Sequence, residues 1–179
     1  MTILRTKTSR VRMLAVLAVT GAMLSACSPS PAPSPTPTAA FASEDEAFAA
    51  AEEVYRAYND AYNRVDFSDP SSFDPLDSFT TGTYQSSERE GLSELHATGA
   101  ARSGQASVVW VHGIDMDIST VTVRVCKDLS DVEILDAGGK SLVSPDRPDF
   151  SAVELTLEIA GSELLLAGSQ AVEDEACVP

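Results

Sequence analysis

The first strong pattern of apolar positions along the chain is helical. Between residues 43 and 65, apolar and aromatic side chains recur every three or four residues, with charged residues between them. This spacing places them on one face of an α-helix, which we predict over about residues 43–65. Ser43 and Glu46 have the spacing of a capping box, which would satisfy backbone N–H groups of the first turn. The apolar face consists of Phe48, Ala51, Tyr55, Tyr58 and Tyr62.

A second helix is predicted over about residues 80–98. Its sequence is less favourable, because Gly82 and Gly91 both lower helix propensity. Before it, Asp69-Pro70 ends the first helical pattern and Asp74-Pro75 indicates a loop. The side chains predicted to point inward are Tyr84, Leu92 and Leu95.

After residue 104 the apolar period changes to two. Alternation recurs near residues 108–117, 121–126, 132–134 and 153–159, and a last strand is predicted over about 163–172. One apolar and one polar face is typical of an antiparallel sheet that is buried on one side. In the first of these strands, strict alternation assigns to the apolar face Val108, Trp110, His112, Ile114 and Met116.

Helices followed by strands predict an α+β fold, with N-terminal helices packed on one face of a bent antiparallel sheet. The element order and the tyrosine-bearing first helix resemble the nuclear transport factor two-like, or ketosteroid isomerase-like, cone fold over about residues 43–172. The family often has a further helix between the first and later strands, which this sequence lacks. A helix-capped β-sandwich is the alternative.

The resemblance implies that the first helix closes a pocket against the sheet, where family enzymes use Tyr, Asp or His. The candidate pocket lining is Tyr55, Tyr58, Tyr62, Trp110, His112 and Leu155. A filled core is the alternative for the same residues, since protein interiors are close-packed. We expect a non-catalytic module that binds a ligand or a protein, and we assign no catalytic residue. The alternative is an acid–base enzyme that uses His112 and a tyrosine, although Asp115 and Asp117 alternate to the opposite face.

The N-terminus has the pattern of a targeting segment. Residues 1–12 are basic, residues 13–24 form an apolar run too short to span a bilayer, and Cys27 follows small residues. Leu24-Ser25-Ala26-Cys27 resembles the lipobox of bacterial lipoproteins, and the chain looks most similar to small lipoproteins of the actinobacterial type.

In that family the peptide is cut before the cysteine, which then carries diacylglycerol through a thioether. The resemblance implies a signal peptide over 1–26 and a lipid anchor at Cys27. It places the protein on the extracytoplasmic face of the cell membrane, with the lipid bilayer as a partner. The proline-rich stretch 28–38 indicates an extended linker over 27–42, before a domain over 43–179.

Charge narrows the classes of partner. The chain carries 12 basic and 27 acidic residues, a net charge of −15. Four of the basic residues and none of the acidic ones precede Cys27, so residues 27–179 have a net charge of −19. Such a chain repels nucleic acids, and we expect an envelope protein or an uncharged or cationic small molecule instead.

Candidate metal and cofactor chemistry is sparse. The chain has two histidines, too few for a three-histidine zinc site, and it lacks the common metal-binding and phosphate-binding motifs. We expect no metal and no cofactor. His96 is predicted to add solvated charge near the end of the second helix, and Asp115 and Asp117 to lie on a solvated strand face.

The cysteines fit an oxidising compartment. If Cys27 is lipidated, Cys126 and Cys177 remain as an even pair, and we predict a disulfide between them. Two free thiols are the alternative. A catalytic dithiol is disfavoured because the chain contains no Cys-x-x-Cys.

Overall fold

The computed structural model describes residues 40–178; the predicted signal peptide, Cys27 and most of the linker lie outside this range. Within it, two α-helices and one 3₁₀-helix precede six strands. The helices predicted over 43–65 and 80–98 are both present. In chain order the elements are α1 (Glu44–Asn63), the 3₁₀-helix (Pro70–Ser78), α2 (Gly82–Ala97), β1 (Ala101–Ser103), β2 (Ser107–Met116), β3 (Thr120–Asp128), β4 (Glu133–Leu135), β5 (Phe150–Ala160) and β6 (Glu163–Val172).

The strands form two antiparallel sheets. The larger has the order β2-β3-β5-β6, and the smaller pairs β1 with β4. α1 packs against β2, β3 and β6, and α2 packs against β6. Both helices therefore cover one face of the larger sheet, which confirms the predicted α+β class.

The start of α1 has the predicted cap. The Ser43 hydroxyl accepts a hydrogen bond from the Glu46 backbone N–H at 3.2 Å. The Glu46 carboxylate in turn accepts one from the Ala42 N–H at 2.8 Å. Acidic residues fill the first turn, where the positive end of the helix dipole stabilises them. The face that α1 buries includes Tyr55 and Tyr58, as its apolar spacing predicts.

The core lies between the helices and the inner face of the larger sheet. Val121, Val123 and Val125 of β3 are fully buried at alternate positions, and Leu155 and Leu157 of β5 lie beside them. The stretch around Asp74-Pro75 was predicted as a loop. It is instead the 3₁₀-helix, whose Phe73 and Leu76 are buried in the same core.

The predicted inner face of β2 is confirmed for Val108 and Met116 and is wrong for Trp110, His112 and Ile114. The pairing of β2 with β3 shifts register between Val108 and Trp110 and again between Gly113 and Asp115. Each extra residue in a strand turns the following side chains to the other face of the sheet. As a result Trp110 and His112 lie on the outer face, away from the helices. The residues that face the core are Val108, Val111, Gly113 and Met116.

Candidate functional site

A cavity of about 650 Å³ lies between the helices and the inner face of the larger sheet. Its helical walls are parts of α1 and α2, and its sheet wall comes from β3, β5 and β6. Arg102 on β1 and Ile134 on β4 lie at one end of it. The lining residues are Tyr55, Tyr58, Asn59, Tyr62, Phe67, Tyr84, Ser87, Glu88, Gly91, Leu92, Leu95, Arg102, Ala106, Lys127, Leu129, Val132, Ile134, Val153, Leu155 and Ser169.

Tyrosines form the α1 wall of the cavity. Tyr55, Tyr58 and Tyr62 recur every three or four residues, and neighbouring ring centroids are 5.9 and 6.0 Å apart. The edge of the Phe79 ring approaches Tyr58 from the end of the 3₁₀-helix, with centroids 6.3 Å apart. Burial raises the pKa of Tyr55 and of Tyr58 above the ordinary tyrosine range. The wall is therefore neutral and offers aromatic surface with hydroxyl groups at a few points.

A short polar network joins the two helices inside the cavity. The Tyr58 hydroxyl donates a hydrogen bond to the Glu88 carboxylate of α2, and the Tyr84 hydroxyl lies 3.3 Å from that of Tyr58. Burial raises the pKa of Glu88, and the hydrogen bond from Tyr58 partly opposes this effect. Glu88 is the one carboxylate among the residues that line the cavity.

Lys127 brings a cation to the sheet wall. It follows Val121, Val123 and Val125 at the next inward position of β3, where it pairs with Val108 of β2. Burial lowers the pKa of Lys127, and no charged or hydrogen-bonding group of residues 40–178 offsets that effect. An apolar strand face thus ends in an amine that has no partner within the described part of the chain.

Arg102 is the second cation of the cavity. Its guanidinium donates to the Asn63 carbonyl oxygen at 2.7 Å and lies over the Tyr62 and Phe67 rings, 5.5 and 5.9 Å from their centroids. Burial lowers its pKa, and it forms no salt bridge with a carboxylate of residues 40–178. The carbonyl and the rings fix the guanidinium at one end of the cavity.

The structure brings together four of the six candidate pocket residues. Tyr55, Tyr58, Tyr62 and Leu155 line the cavity, whereas Trp110 and His112 do not. His112 is exposed and stacks on Trp110 on the outer face, with ring centroids 4.4 Å apart. The sheet separates His112 from every tyrosine of the cavity, so the alternative of an acid–base pair formed by His112 and a tyrosine is wrong.

The other residues considered in the sequence analysis, His96, Asp115 and Asp117, lie outside the cavity. His96 Nδ1 lies 2.8 Å from the Phe67 carbonyl oxygen and is therefore hydrogen-bonded, not simply solvated. The Asp117 carboxylate accepts hydrogen bonds from the Ser119 and Thr120 N–H groups in the turn after β2, which lowers its pKa. Asp115 is exposed.

The outer face of the sheet carries the disulfide. Cys126 and Cys177 form the predicted pair, with Cα atoms 5.3 Å apart, and Trp110 packs against them. Arg124 lies nearby and forms salt bridges with Glu154 at 3.1 Å and Asp174 at 3.2 Å. These contacts attach the segment after β6 to the outer face of the sheet.

Two further findings concern residues 40–178 alone. They contain no cluster of three or more His, Cys, Asp or Glu side chains arranged to hold a metal ion. Among them there is also no helix with the length and apolar character needed to cross a membrane.

Sequence reasoning missed Lys127, Arg102 and Glu88. A signal for Lys127 was present, because it continues the inward alternation of Val121, Val123 and Val125. A charged residue in that register is unusual and marks a place where the core opens. Arg102 lies on a three-residue strand, which is too short to show a period.

Comparisons with known proteins leave the family open. No protein-family model matches the chain, and no curated protein matches it. Among solved structures, the intermembrane space region of the chloroplast protein ARC6 is 11% identical with a TM-score of 0.49, over 71% of this chain and 97% of that one. A de novo designed β-sheet protein is 20% identical with a TM-score of 0.29, over 72% of this chain and 85% of that one. These likenesses are too distant to carry an argument, so the function has to be inferred from the cavity.

Proposed function

We propose that this protein is a non-catalytic binding module that takes a small, largely apolar molecule into its cavity. We further propose that a lipid on Cys27 holds it at the extracytoplasmic face of the cell membrane. The observation that carries the binding function is the cavity of about 650 Å³. A space of this size is within the usual range for small-molecule sites and far above the voids of an ordinary packed core.

The lining of the cavity supports binding of an apolar molecule. Aromatic and aliphatic side chains provide most of the exposed wall surface, and the charged residues of the lining are Glu88, Arg102 and Lys127. Apolar walls supply affinity through burial of surface, and a few fixed polar groups supply orientation. The tyrosines of the wall are neutral, and the Tyr58 hydroxyl is already bonded to Glu88.

The N-terminal sequence and the cysteines support the proposed location at the extracytoplasmic face of the membrane. Leu24-Ser25-Ala26-Cys27 follows a basic and then an apolar segment, as in exported lipoproteins. The pairing of Cys126 with Cys177 fits an oxidising compartment, because disulfides persist outside the cytosol. Anchoring by two or more acyl chains is stable, whereas one chain binds a bilayer only marginally.

The test of binding uses a neutral fluorescent probe, N-phenyl-1-naphthylamine, with variants at Gly91. Gly91 lines the cavity from the middle of α2, and a Cβ atom there would have no neighbour within 4 Å. Gly91→Phe should fill the cavity and abolish probe binding. Gly91→Ala is the matched control, since both changes remove a helical glycine but only phenylalanine occupies the space. Equal probe binding by the two variants and the original protein would refute binding in this cavity.

An acid–base enzyme is the second candidate, and one observation favours it. Glu88 is a half-buried carboxyl group with a raised pKa, and it is bonded to Tyr58 within an apolar cavity. A carboxyl group with a raised pKa in an apolar cavity is of the kind that enzymes use as a general acid or base. If turnover of any bound molecule is found, Glu88→Gln should abolish it and leave probe binding intact. A binding module predicts no turnover by either form.

A further inference from the structure

We propose that the ligand is an amphipathic monoanion, with an apolar chain or ring along the tyrosine wall and a carboxylate that pairs with Lys127. This inference rests on the proposed binding function and names its ligand class. Arg102, held at one end of the cavity by the Asn63 carbonyl oxygen, adds a second positive charge to the lining.

The position of Lys127 is the first argument. Its neighbours at alternate inward positions, Val123 and Val125, are fully buried, so the amine projects from an apolar strand face into the cavity. Lys127 is partly buried, and the partial loss of water around its amine costs free energy that an opposite charge would offset. No carboxylate of residues 40–178 supplies that charge to Lys127.

The distribution of basic residues is the second argument. Of the eight basic residues after Cys27, Arg56, Arg89 and Arg124 form salt bridges with acidic residues. The other five form no salt bridge among residues 40–178, and two of these five, Arg102 and Lys127, line the cavity. In a strongly acidic chain, two cations without carboxylate partners in one cavity point to an anion supplied by a ligand.

The charged residues of the lining favour a ligand with one negative charge. Two cations and the one carboxylate of Glu88 give the lining a net charge of +1. A second negative charge on the ligand would face Glu88, and a cationic ligand would face Lys127 and Arg102. A neutral ligand would leave Lys127 unpaired beside apolar surface.

The net charge of −19 suggested an uncharged or cationic ligand, but local charge is the better guide. Exposed charges more than about 10 Å away are largely screened at ordinary ionic strength. Charges within the cavity interact through a medium of lower dielectric constant and are screened much less. The acidic surface should therefore slow the approach of an anion without preventing its binding.

The test compares decanoate with 1-decanol, which have the same chain length and differ in charge. Each competes with N-phenyl-1-naphthylamine for the full chain, with Cys27→Ser in every sample so that no acyl chain is present. The apolar residues 13–24 are common to all samples, so differences between variants report on the cavity. Decanoate should compete roughly tenfold or more better than decanol, as expected for one charge-assisted hydrogen bond.

Variants at Lys127 decide the role of the amine. Lys127→Met should lower the affinity for decanoate by roughly 10- to 100-fold and leave the affinity for decanol unchanged. Lys127→Arg keeps the charge and should keep the preference for decanoate. Lys140→Met makes the same change of charge at an exposed position outside the cavity, so it should alter neither ligand.

The outcomes separate this inference from the proposed function. If decanol competes as well as decanoate, or if Lys127→Met and Lys140→Met behave alike, the monoanion inference fails while binding in the cavity stands. If Gly91→Phe leaves probe binding intact, the binding function itself fails. Decanoate preference that is lost in Lys127→Met and kept in Lys127→Arg supports both.

Discussion

The Phe48 ring of α1 lies directly over Gly113 of β2, in the space that a Cβ atom at residue 113 would occupy. Gly113 faces inward because of the first bulge in β2, and the absence of a side chain lets α1 approach the sheet. This contact sets the distance between α1 and the larger sheet near the start of α1. Neither Phe48 nor Gly113 lines the cavity.

Gly113→Ala should therefore destabilise the domain. The added methyl group would overlap the Phe48 ring, and overpacking of this kind costs about 1–3 kcal/mol. Urea unfolding should show a lower midpoint with an unchanged slope. Adding Phe48→Leu to Gly113→Ala should recover part of the loss in a double-mutant cycle. Strictly additive effects of the two changes would contradict this packing.

Lys127→Met should stabilise the protein near neutral pH, by on the order of 1 kcal/mol. Burial lowers the pKa of Lys127 in the folded state, so the unfolded state holds that proton more tightly. The penalty is fully present below the folded-state pKa and is lost as the pH rises toward the unfolded value of about 10.4. The stability gap between variant and original protein should therefore shrink as the pH is raised in urea titrations. A gap that does not change with pH would contradict burial of the charged amine.

Glu88→Gln should change the dependence of stability on pH at the acid end. Burial raises the pKa of Glu88 in the folded state, so the protonated carboxyl is favoured there. The original protein should lose stability as the pH rises from the unfolded value of about 4.3 through the folded-state pKa, and Glu88→Gln should not show this loss. Thermal unfolding across this range measures it. Glu90→Gln, an exposed change on the same helix, is the control.

Replacing both Cys126 and Cys177 with alanine should lower the stability by up to about 4 kcal/mol. The two cysteines are 51 residues apart, and the figure is the loop entropy that their crosslink removes from the unfolded chain. Urea unfolding of the oxidised protein and the double variant gives the difference. Non-reducing peptide mapping should also recover the linked pair, and recovery of two free thiols would contradict it.

Cys27→Ser should release the protein from the membrane fraction. The proposed anchor is a lipid on this cysteine, and nothing among residues 40–178 offers a membrane-spanning helix in its place. Cell fractionation with detection of the protein measures the change, and the mass of the mature original protein should exceed that of its polypeptide. Ser34→Thr, a small change in the linker outside the Leu24–Cys27 motif, serves as the control for handling. Retention of the Cys27→Ser protein in the membrane would contradict the anchor.

Elements with one clear period were predictable from the sequence, and β2 was not. β3 and β5 place valine or leucine at every second position, so only one register buries them. In β2 the run Val108-Val109-Trp110-Val111 is apolar at four successive positions, so either face could be the inner one. Pairing with β3 and the approach of Phe48 to Gly113 decide the register, and both are long-range contacts.

The cavity was predictable in part for the same reason. Helical spacing was enough to place Tyr55, Tyr58 and Tyr62 on one wall. Whether the space opposite them is filled depends on the volumes of residues from six other helices and strands and from the loops, including Arg102 on a short strand. No local pattern carries that information. The 3₁₀-helix was not predicted because its prolines are typical of loops. Its Phe73 and Leu76 are buried at a spacing of three residues, which matches the three residues per turn of a 3₁₀-helix.

The placement of the aromatic residues has a spectroscopic consequence. All four tyrosines of the chain line the cavity, whereas its single tryptophan, Trp110, lies on the opposite face of the sheet beside the disulfide. A molecule that enters the cavity should therefore perturb the tyrosine absorption bands and leave the tryptophan band unchanged. Reduction of the disulfide should do the reverse. One ultraviolet difference spectrum thus distinguishes occupancy of the inner face from chemistry on the outer face, without any added label.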